Sequence, residues 1–141
     1  MKIPIEIELG RSCARLFWSL QNRSNAVLKH LGITIEQLRL LILIQNNEGK
    51  DQQFLANETL KAKSAITYLL DKMSGEGLVA KVSDERDTRN NKIFLTSKGK
   101  LSVVEGQKVL MKEMQDLLKA KDVEEIKSLI ETMQTLTKKL L

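Results

Sequence analysis

Apolar residues recur at helical spacing along most of the chain, and this pattern predicts a mainly helical protein. The stretch Glu8–Leu31 carries one broad apolar stripe and predicts a helix that ends at Gly32. Thr34, with Gln37 three residues later, has the spacing of a capping box and predicts the start of a second helix. The run Leu38–Ile44 in that helix is apolar around most of its circumference, so we expect the second helix to be buried centrally.

Two shorter helices are predicted next, at about Gln52–Glu58 and Lys61–Ser74, and Gly75–Gly77 closes the second of them. Phe54 and Leu55 are expected to face inward from the first. The residues expected to face inward from the second are Ala62, Ile66, Leu69, Leu70 and Met73.

The apolar period then changes from 3.6 to 2. Residues 78–83 and 92–96 each alternate apolar with polar side chains around the charged loop Asp84–Asn91, which predicts a β-hairpin. Thr96 or Ser97 can cap a long helix over about Lys98–Lys119, and a last helix is predicted over about Val123–Leu140. The predicted order is four helices, a hairpin and two further helices.

The charge of the chain is concentrated in its middle third. The net charge is +5. Between Lys61 and Lys100, nine Lys or Arg stand against five Asp or Glu, which leaves +4 of that excess. A basic segment favours a polyanionic partner, although a solvated basic face is the plainer alternative.

Several classes of protein are disfavoured by the sequence. No stretch approaches the roughly 18–20 apolar residues that cross a bilayer, and the acidic N-terminus does not resemble a signal peptide. The single cysteine excludes an intramolecular disulfide. With one histidine, His30, we expect no metal site and no cofactor. No nucleophile elbow, P-loop or dinucleotide-binding turn is present. We therefore expect a cytoplasmic protein that is not an enzyme and has no membrane partner.

Two short helices followed by a charged hairpin are typical of a winged helix-turn-helix. The second short helix of such a fold enters the major groove of DNA. If its apolar side faces the core, helical spacing turns Ser64, Thr67, Tyr68 and Asp71 outward, and the first three are suited to base edges. The lysines expected to contact phosphates are Lys61, Lys63, Lys72 and Lys92.

The hairpin and the residues around it resemble the MarR (multiple-antibiotic-resistance regulator) family. Residues 84–89 read Asp-Glu-Arg-Asp-Thr-Arg and residues 95–99 read Leu-Thr-Ser-Lys-Gly, which match the family's wing signature D-x-R-D-x-R followed by L-T-x-x-G. Residues 55–79 resemble the helix-turn-helix of the same family without a gap. The order of the flanking helices also matches.

The resemblance implies a mainly α fold with a small hairpin: a winged helix-turn-helix of six helices with a two- or three-stranded wing, in an intertwined homodimer. It implies one domain, 1–141, in which about 1–33 and 98–141 form the dimerisation helices and about 34–97 the DNA-binding core, with the wing at 78–96. Arg86 or Arg89 would enter the minor groove, and Asp84 and Asp87 would brace the wing. The function implied is a sequence-specific transcription regulator, most often a repressor of a palindromic operator that a small aromatic effector releases.

Three positions depart from the family's pattern. Tyr68 stands where many members have an arginine, Gly75 where charged helix formers are usual, and Ala62 where a capping side chain is expected. The last departure predicts that the recognition helix starts earlier, at Thr59. These departures affect base specificity rather than the fold.

The first helix leaves alternatives open. Cys13 is either a core residue or the sensor of a peroxide-responsive repressor, as in some members of the family. Trp18 is expected in the core or the dimer interface; the alternative is that Cys13, Phe17 and Trp18 line an effector pocket between the first, second and fifth helices. A winged-helix module that binds proteins instead of DNA is a further alternative. The broad apolar faces of the terminal helices favour dimerisation over packing within one protomer.

Overall fold

The computed structural model describes residues 2–83, 85–86 and 90–141. Its elements are α1 (Ile5–Leu28), a 3-10 turn (Lys29–Leu31), α2 (Ile35–Asn46), α3 (Gln52–Thr59), α4 (Lys63–Gly75), β1 (Val79–Ser83), β2 (Asn91–Leu95), α5 (Ser97–Leu118) and α6 (Val123–Leu140). The predicted mainly helical class with a small hairpin is confirmed. The chain divides into two compact units, residues 1–110 and 111–141, and the boundary falls within α5. The segments predicted for dimerisation and DNA binding stay a prediction.

Helix α1 begins three residues earlier than the apolar stripe predicted. Pro4 stands just before it, and the Pro4 carbonyl accepts hydrogen bonds from the N–H groups of Ile7 and Glu8, each at 3.0 Å. A proline suits a helix start because its fixed φ is helical and it has no N–H to leave unpaired. The predicted stop at Gly32 is confirmed, since Gly32 adopts φ 70° after the 3-10 turn.

Helix α2 forms the centre of the first unit, as its apolar sequence predicted. The capping box is present: Thr34 Oγ1 accepts from the Gln37 N–H at 3.2 Å, and Gln37 Oε1 accepts from the Thr34 N–H at 3.0 Å. Leu38, Leu41 and Ile44 are fully buried. The core around them draws its buried apolar side chains from α1 to α5, and these include Leu28, Leu40, Leu55, Ile66, Leu70, Met73, Leu78, Ile93 and Val103.

The predicted hairpin is an antiparallel pair of strands. Its register runs from Val79 opposite Leu95 to Ser83 opposite Asn91. The segment before α3 adds a short extension, because Gly49 donates to the Ile93 carbonyl at 2.9 Å and Ile93 donates to the Lys50 carbonyl at 3.0 Å. The wing is therefore a two-stranded sheet with one isolated bridge, between Asp51 and Lys92, on its β2 side.

The end of α4, the wing and the start of α5 meet at Thr96. Its hydroxyl donates to the Gly77 carbonyl at 2.6 Å and accepts from the Gly99 N–H at 3.0 Å, so Thr96 caps α5. Gly77 adopts φ 76° and closes α4, with the Leu78 N–H donating to the Met73 carbonyl at 2.9 Å. These hydrogen bonds fix the position of the wing relative to the end of α4.

The second unit consists of the end of α5 and the whole of α6, whose predicted bounds are confirmed. One stripe of α6 is apolar at helical spacing, and its larger side chains are exposed. These side chains are Val123, Leu129, Ile130, Met133, Leu136 and Leu140. Across the described residues, no helix combines the length and the hydropathy needed to cross a bilayer.

Candidate nucleic-acid interface

Helix α4 presents one polar face to solvent, as its spacing predicted. Ile66, Leu70 and Met73 are fully buried, and Leu69 packs against the same core. The opposite side exposes Ser64 and Asp71, together with the largest exposed ring of the helix, that of Tyr68, which is 73% exposed. A helix anchored on one side by three buried apolar residues holds the other side in a fixed orientation.

The predicted start of this helix is wrong. Helix α4 begins at Lys63, with Ala62 as an N-cap that makes no side-chain hydrogen bond, and Ala62 is exposed rather than turned inward. Thr59 is instead the last residue of α3, where its hydroxyl contacts the Leu55 carbonyl at 2.7 Å. The two helices cannot merge because Leu60 between them adopts the left-handed conformation, with φ 59°.

Thr67 is half-buried and already has partners within the protein. Its hydroxyl donates towards the Lys63 carbonyl at 2.9 Å and towards Gln52 Oε1 at 3.0 Å. The hydroxyl hydrogen is therefore used inside the molecule, and what remains for a base edge is the oxygen lone pair and the methyl group. Gln52, the first residue of α3, links α3 to the recognition helix; sequence spacing gave no sign of this contact.

The four predicted phosphate-binding lysines have different surroundings. Lys63 and Lys72 are exposed at the start and towards the end of α4. Lys92 is exposed on β2, opposite Val82. Lys61 forms an ion pair with Glu36 of α2 at 3.2 Å and is 37% exposed. Lys63, Lys72 and Lys92 are thus exposed on α4 and the wing, whereas the ammonium group of Lys61 is paired with a carboxylate of α2.

The tip of the wing is described only in part. Arg86 is exposed. Arg89, Asp84 and Asp87 lie outside the described residues, so the predicted brace between the acids and the arginines stays a prediction. A different ion pair joins the wing to the recognition helix: Lys81 of β1 contacts Asp71 of α4. Asp71 is exposed on the outer face of α4, as its spacing predicted, whereas its ion pair with Lys81 was not predicted.

Cys13, Phe17 and Trp18 all lie on the exposed side of α1. Cys13 is an exposed free thiol and Trp18 is 60% exposed, so neither side chain packs in the core of one protomer. The physical reason is that only the C-terminal part of α1 packs on α2, through Gln21 and Leu28. The other predictions for them, the dimer interface for Trp18 and a sensor role for Cys13, stay predictions. The rings of Phe17 and Trp18 contact each other edge to face, with centroids 5.2 Å apart.

A cavity of about 640 Å³ lies beside Phe17, but in a different place from the predicted pocket. It is formed by α1, α2, the end of α3, the turn after it and α4, whereas the prediction named the first, second and fifth helices. Cys13 and Trp18 lie outside it. The lining residues are Phe17, Glu36, Arg39, Leu40, Leu43, Glu58, Thr59, Leu60, Lys61, Ile66 and Leu69.

No metal site accompanies these features in the part of the chain that the structure describes, where no three His, Cys, Asp or Glu side chains come close enough to hold an ion. For the peroxide-sensor alternative, Cys13 lies on α1 and the single tyrosine, Tyr68, lies on α4. That alternative stays a prediction.

Comparison with known proteins gives a consistent result. A model of the MarR family matches residues 31–90. The HTH-type transcriptional regulator FarR of Neisseria gonorrhoeae is 30% identical over 81 residues, which are 57% of this chain and 56% of FarR. The chain therefore spans little more than half the length of this curated relative.

Two solved structures are similar over almost their whole length. A MarR family protein from Bacillus stearothermophilus has a TM-score of 0.79 at 25% identity, covering 99% of this chain and 98% of that one. The transcriptional repressor CouR, solved bound to a 23-mer DNA duplex, has a TM-score of 0.87 at 21% identity, covering 97% and 98%. The predicted winged helix-turn-helix fold is thereby confirmed.

Proposed function

We propose, from the premise that the chain belongs to the MarR family, that it is a sequence-specific DNA-binding transcription regulator. The observation that carries the proposal is the exposed face of α4, where Ser64 and Tyr68 lie between Lys63 and Lys72. The major groove of B-DNA is about 12 Å wide and accepts one α-helix. A polar face flanked by cations suits that groove, and CouR is a related fold solved on a DNA duplex.

The residues of this surface divide into three roles. Lys61, Lys63, Lys72 and Lys92 would bind phosphates and supply affinity that depends on salt. Ser64, Thr67 and Tyr68 would read base edges, Thr67 as an acceptor or through its methyl group because its hydrogen is used internally. Arg86 and Arg89 would serve the wing, with Asp84 and Asp87 as its braces.

The active form would be a homodimer. The exposed apolar side chains of α1 and α6 form stripes rather than isolated surface residues, and Ile5, Ile7 and Leu9 of α1 are each more than half exposed. Apolar patches of this kind mark interaction surfaces. A two-fold dimer would place two copies of α4 in successive major grooves, about 34–36 Å apart. The operator would then be a palindrome, and an effector that binds one helix spacing better than the other would change repression.

The test is DNA binding across a salt series, first to a random duplex pool and then to the enriched sequence. If about 6–10 phosphates are contacted, affinity falls roughly 10³–10⁵-fold between about 50 and 200 mM salt. The double substitution Lys63→Ala and Lys72→Ala should make the log–log salt slope shallower by about 0.9 per lysine. Lys112→Ala on α5, combined with Lys119→Ala in the turn that follows it, removes the same charge outside the proposed interface and should leave the slope unchanged.

A second pair of variants tests the wing. Arg86→Ala with Arg89→Ala should weaken binding to the enriched duplex at every salt concentration. If the wild type binds no duplex, or if its binding is indifferent to salt and to these four side chains, DNA recognition is refuted and a protein-binding winged helix becomes the better description.

Dimerisation has its own test. Ile130→Glu with Met133→Glu places two charges on the apolar stripe of α6 and should convert a dimer into a monomer, as measured by light scattering after size exclusion. Ser128→Glu adds a charge to the same helix beside the stripe and should leave the mass unchanged. A monomeric wild type would refute the homodimer.

A further inference from the structure

The first residue of α3 lies against the face of α4 that would enter DNA. Gln52 Oε1 accepts a hydrogen bond from the Thr67 hydroxyl at 3.0 Å. Gln52 and Thr67 are both half-buried, and Tyr68, with its exposed ring, follows Thr67 on α4. Since a hydrogen bond of this length fixes the distance between the two groups, the Gln52 amide is held at the edge of that face.

The amino group of Gln52 is not used within the described residues. A glutamine side chain has one carbonyl oxygen, which accepts, and one amino group, which can donate twice. Thr67 uses the oxygen, and no residue that the structure describes accepts from Nε2. Every buried side-chain nitrogen or oxygen in the described part of the chain has a partner, so Nε2 reaches solvent. The recognition helix thus holds the oxygen of Gln52 and leaves its N–H donors open to solvent.

Gln53, the next residue of α3, differs from Gln52 in both respects. It is exposed, and its Nε2 donates to Asn57 Oδ1 at 2.9 Å, one turn along the same helix. Among the described residues it makes no hydrogen bond to α4. The two glutamines have the same chemistry and differ only in position, which makes Gln53 a matched control.

Lysines that would bind phosphates lie on two sides of Gln52. The Thr67 hydroxyl that contacts Gln52 also contacts the Lys63 carbonyl, at 2.9 Å, and the Lys63 side chain is exposed. On the other side, Asp51 precedes Gln52 and forms a β-bridge with Lys92, which is exposed as well. A DNA backbone that contacts Lys63 on α4 and Lys92 on the wing would pass beside Gln52.

An acid stands next to Gln52, but the neighbouring lysines outnumber it. The carboxylate of Asp51 caps α3 by accepting from the Phe54 N–H at 2.8 Å, and Asp51 is half-buried. Lys50 and Lys92, its neighbours in the chain and across the bridge, are both exposed. Lys50 Nζ lies 5.4 Å from the centroid of the Phe54 ring, which holds it near the start of α3. The local charge therefore still attracts a phosphate, and Gln52 supplies a neutral donor between the cations.

We propose that Gln52 joins the recognition helix to the DNA backbone, with Oε1 on the Thr67 hydroxyl and Nε2–H on a phosphate oxygen. The contact rests on the proposed function and adds to it a neutral residue of α3 that neither charge nor motif indicates. At least half of the hydrogen bonds between proteins and DNA go to phosphates and sugars, and they position the protein without reading sequence. Because the same amide contacts Thr67, this contact would fix how deeply Thr67 lies in the major groove.

The first test measures DNA affinity by fluorescence anisotropy, with the full-length protein and the enriched duplex. Gln52→Ala should weaken binding by about tenfold or more, because about 1.4 kcal/mol is tenfold and a hydrogen bond to a charged group contributes roughly 1.5–3 kcal/mol. The log–log salt slope should stay that of the wild type, because a neutral donor releases no counterion. The same loss should appear on a duplex with one base pair changed in each half-site, because a phosphate contact reads no sequence.

Two further variants separate the donor from the helix. Gln52→Glu keeps an oxygen for Thr67 but puts a carboxylate oxygen in place of the donor, so it should bind more weakly than Gln52→Ala. Gln53→Ala removes the neighbouring glutamine and should bind as the wild type does. All three variants should keep the circular dichroism spectrum of the wild type. If Gln52→Ala binds like Gln53→Ala, or if its loss is confined to the enriched duplex, the phosphate contact is refuted.

A methylphosphonate scan of the enriched duplex locates the contact. Each phosphate is replaced in turn by a methylphosphonate, which lacks the negative charge. In each half-site, one replacement that weakens the wild type should add nothing to the loss in Gln52→Ala, because the donor is already absent. If every replacement costs the variant as much as it costs the wild type, Gln52 contacts no phosphate and the proposal fails.

The bond to Thr67 is tested by a double-mutant cycle with Thr67→Val, which keeps the shape of the side chain and removes its hydroxyl. Without that hydroxyl the amide is not held, so the loss caused by Gln52→Ala should fall to about threefold or less. An equal loss in both backgrounds would refute the bridge through Thr67. A wild type with a steep salt slope and no role for Gln52 would leave the proposed function standing, whereas a wild type that binds no duplex would refute both.

Discussion

An alanine at position 99 would place its Cβ 2.2 Å from the Leu78 carbonyl oxygen. Non-bonded heavy atoms are best separated by about 3.5–4.0 Å, so the start of α5 would have to move away from Leu78 by roughly 1 Å. The atom that the new methyl group meets belongs to the backbone, and therefore no change of rotamer can relieve the contact. Gly99→Ala is thus a direct measure of how closely the start of α5 approaches the backbone of Leu78, just after α4.

The expected cost combines three contributions. Overpacking of a well-packed site costs about 1–3 kcal/mol. The displacement also weakens the hydrogen bond that the Leu78 carbonyl accepts from the Thr96 N–H at 3.1 Å, a loss of about 1 kcal/mol. Alanine returns about 0.5–1 kcal/mol because it is the better helix former. We expect the free energy of unfolding to fall by about 2 kcal/mol.

The assay is urea unfolding followed by circular dichroism, at one fixed protein concentration because a dimer makes stability depend on concentration. Gly10→Ala and Gly75→Ala are the controls, since a Cβ at either position meets nothing within 4 Å, and each should stabilise by about 0.5–1 kcal/mol. Gly106→Ala should fall between them and Gly99→Ala, because its Cβ meets side-chain atoms of Leu38 at 2.8 Å. If Gly99→Ala is as stable as the two controls, the close approach does not exist in solution.

Three further results are expected. Asp51→Ala should lower the free energy of unfolding by about 1 kcal/mol in the same assay, because Asp51 Oδ1 caps α3 by accepting from the Phe54 N–H at 2.8 Å. Asp51→Asn keeps an acceptor and should lose less. An equal loss in both variants would refute a capping role. Leu60→Gly should raise the free energy of unfolding by up to about 1 kcal/mol, because glycine adopts the left-handed conformation without the strain that leucine carries. A loss of stability would show that the contacts of the Leu60 side chain outweigh that strain. A double-mutant cycle between Asp71 and Lys81 should give a coupling of about 0.2–1 kcal/mol that weakens with salt; zero coupling at low salt would mean that the ion pair is not populated.

Periodicity and capping chemistry predicted most of the elements because both are local. The bounds of α6 follow from an unbroken stripe that begins at Val123, and the start of α2 follows from Thr34 and Gln37. The start of α1 was placed three residues too late because the apolar stripe was counted from Leu9, whereas the helix already includes Ile5 and Ile7. Here a proline N-cap, rather than burial, determines where the helix begins.

The errors around the recognition helix have a different physical origin. The lack of a capping side chain at Ala62 predicted a start at Thr59. The helix boundary is instead set by the backbone of Leu60, and no residue type in the segment predicts its left-handed conformation. The cavity beside Phe17 was not predicted, for a related reason, and the pocket predicted at Cys13, Phe17 and Trp18 stays a prediction. Arg39 and Gln21 are 18 residues apart and read as ordinary polar positions, and only the packing of α1 on α2 brings their side chains together.

The hydroxyl of Thr96 has a consequence for how the molecule opens. It donates to the carbonyl that ends the turn after α4, accepts from the first turn of α5, and belongs to the residue that follows β2. Because this hydroxyl bonds to two of the segments and belongs to the third, the separation of any one of them breaks at least one of its hydrogen bonds. The amide protons of Leu78, Thr96 and Gly99 should therefore exchange with deuterium in a single opening event with one common free energy, so the recognition helix, the wing and the first turn of α5 unfold as one cooperative unit.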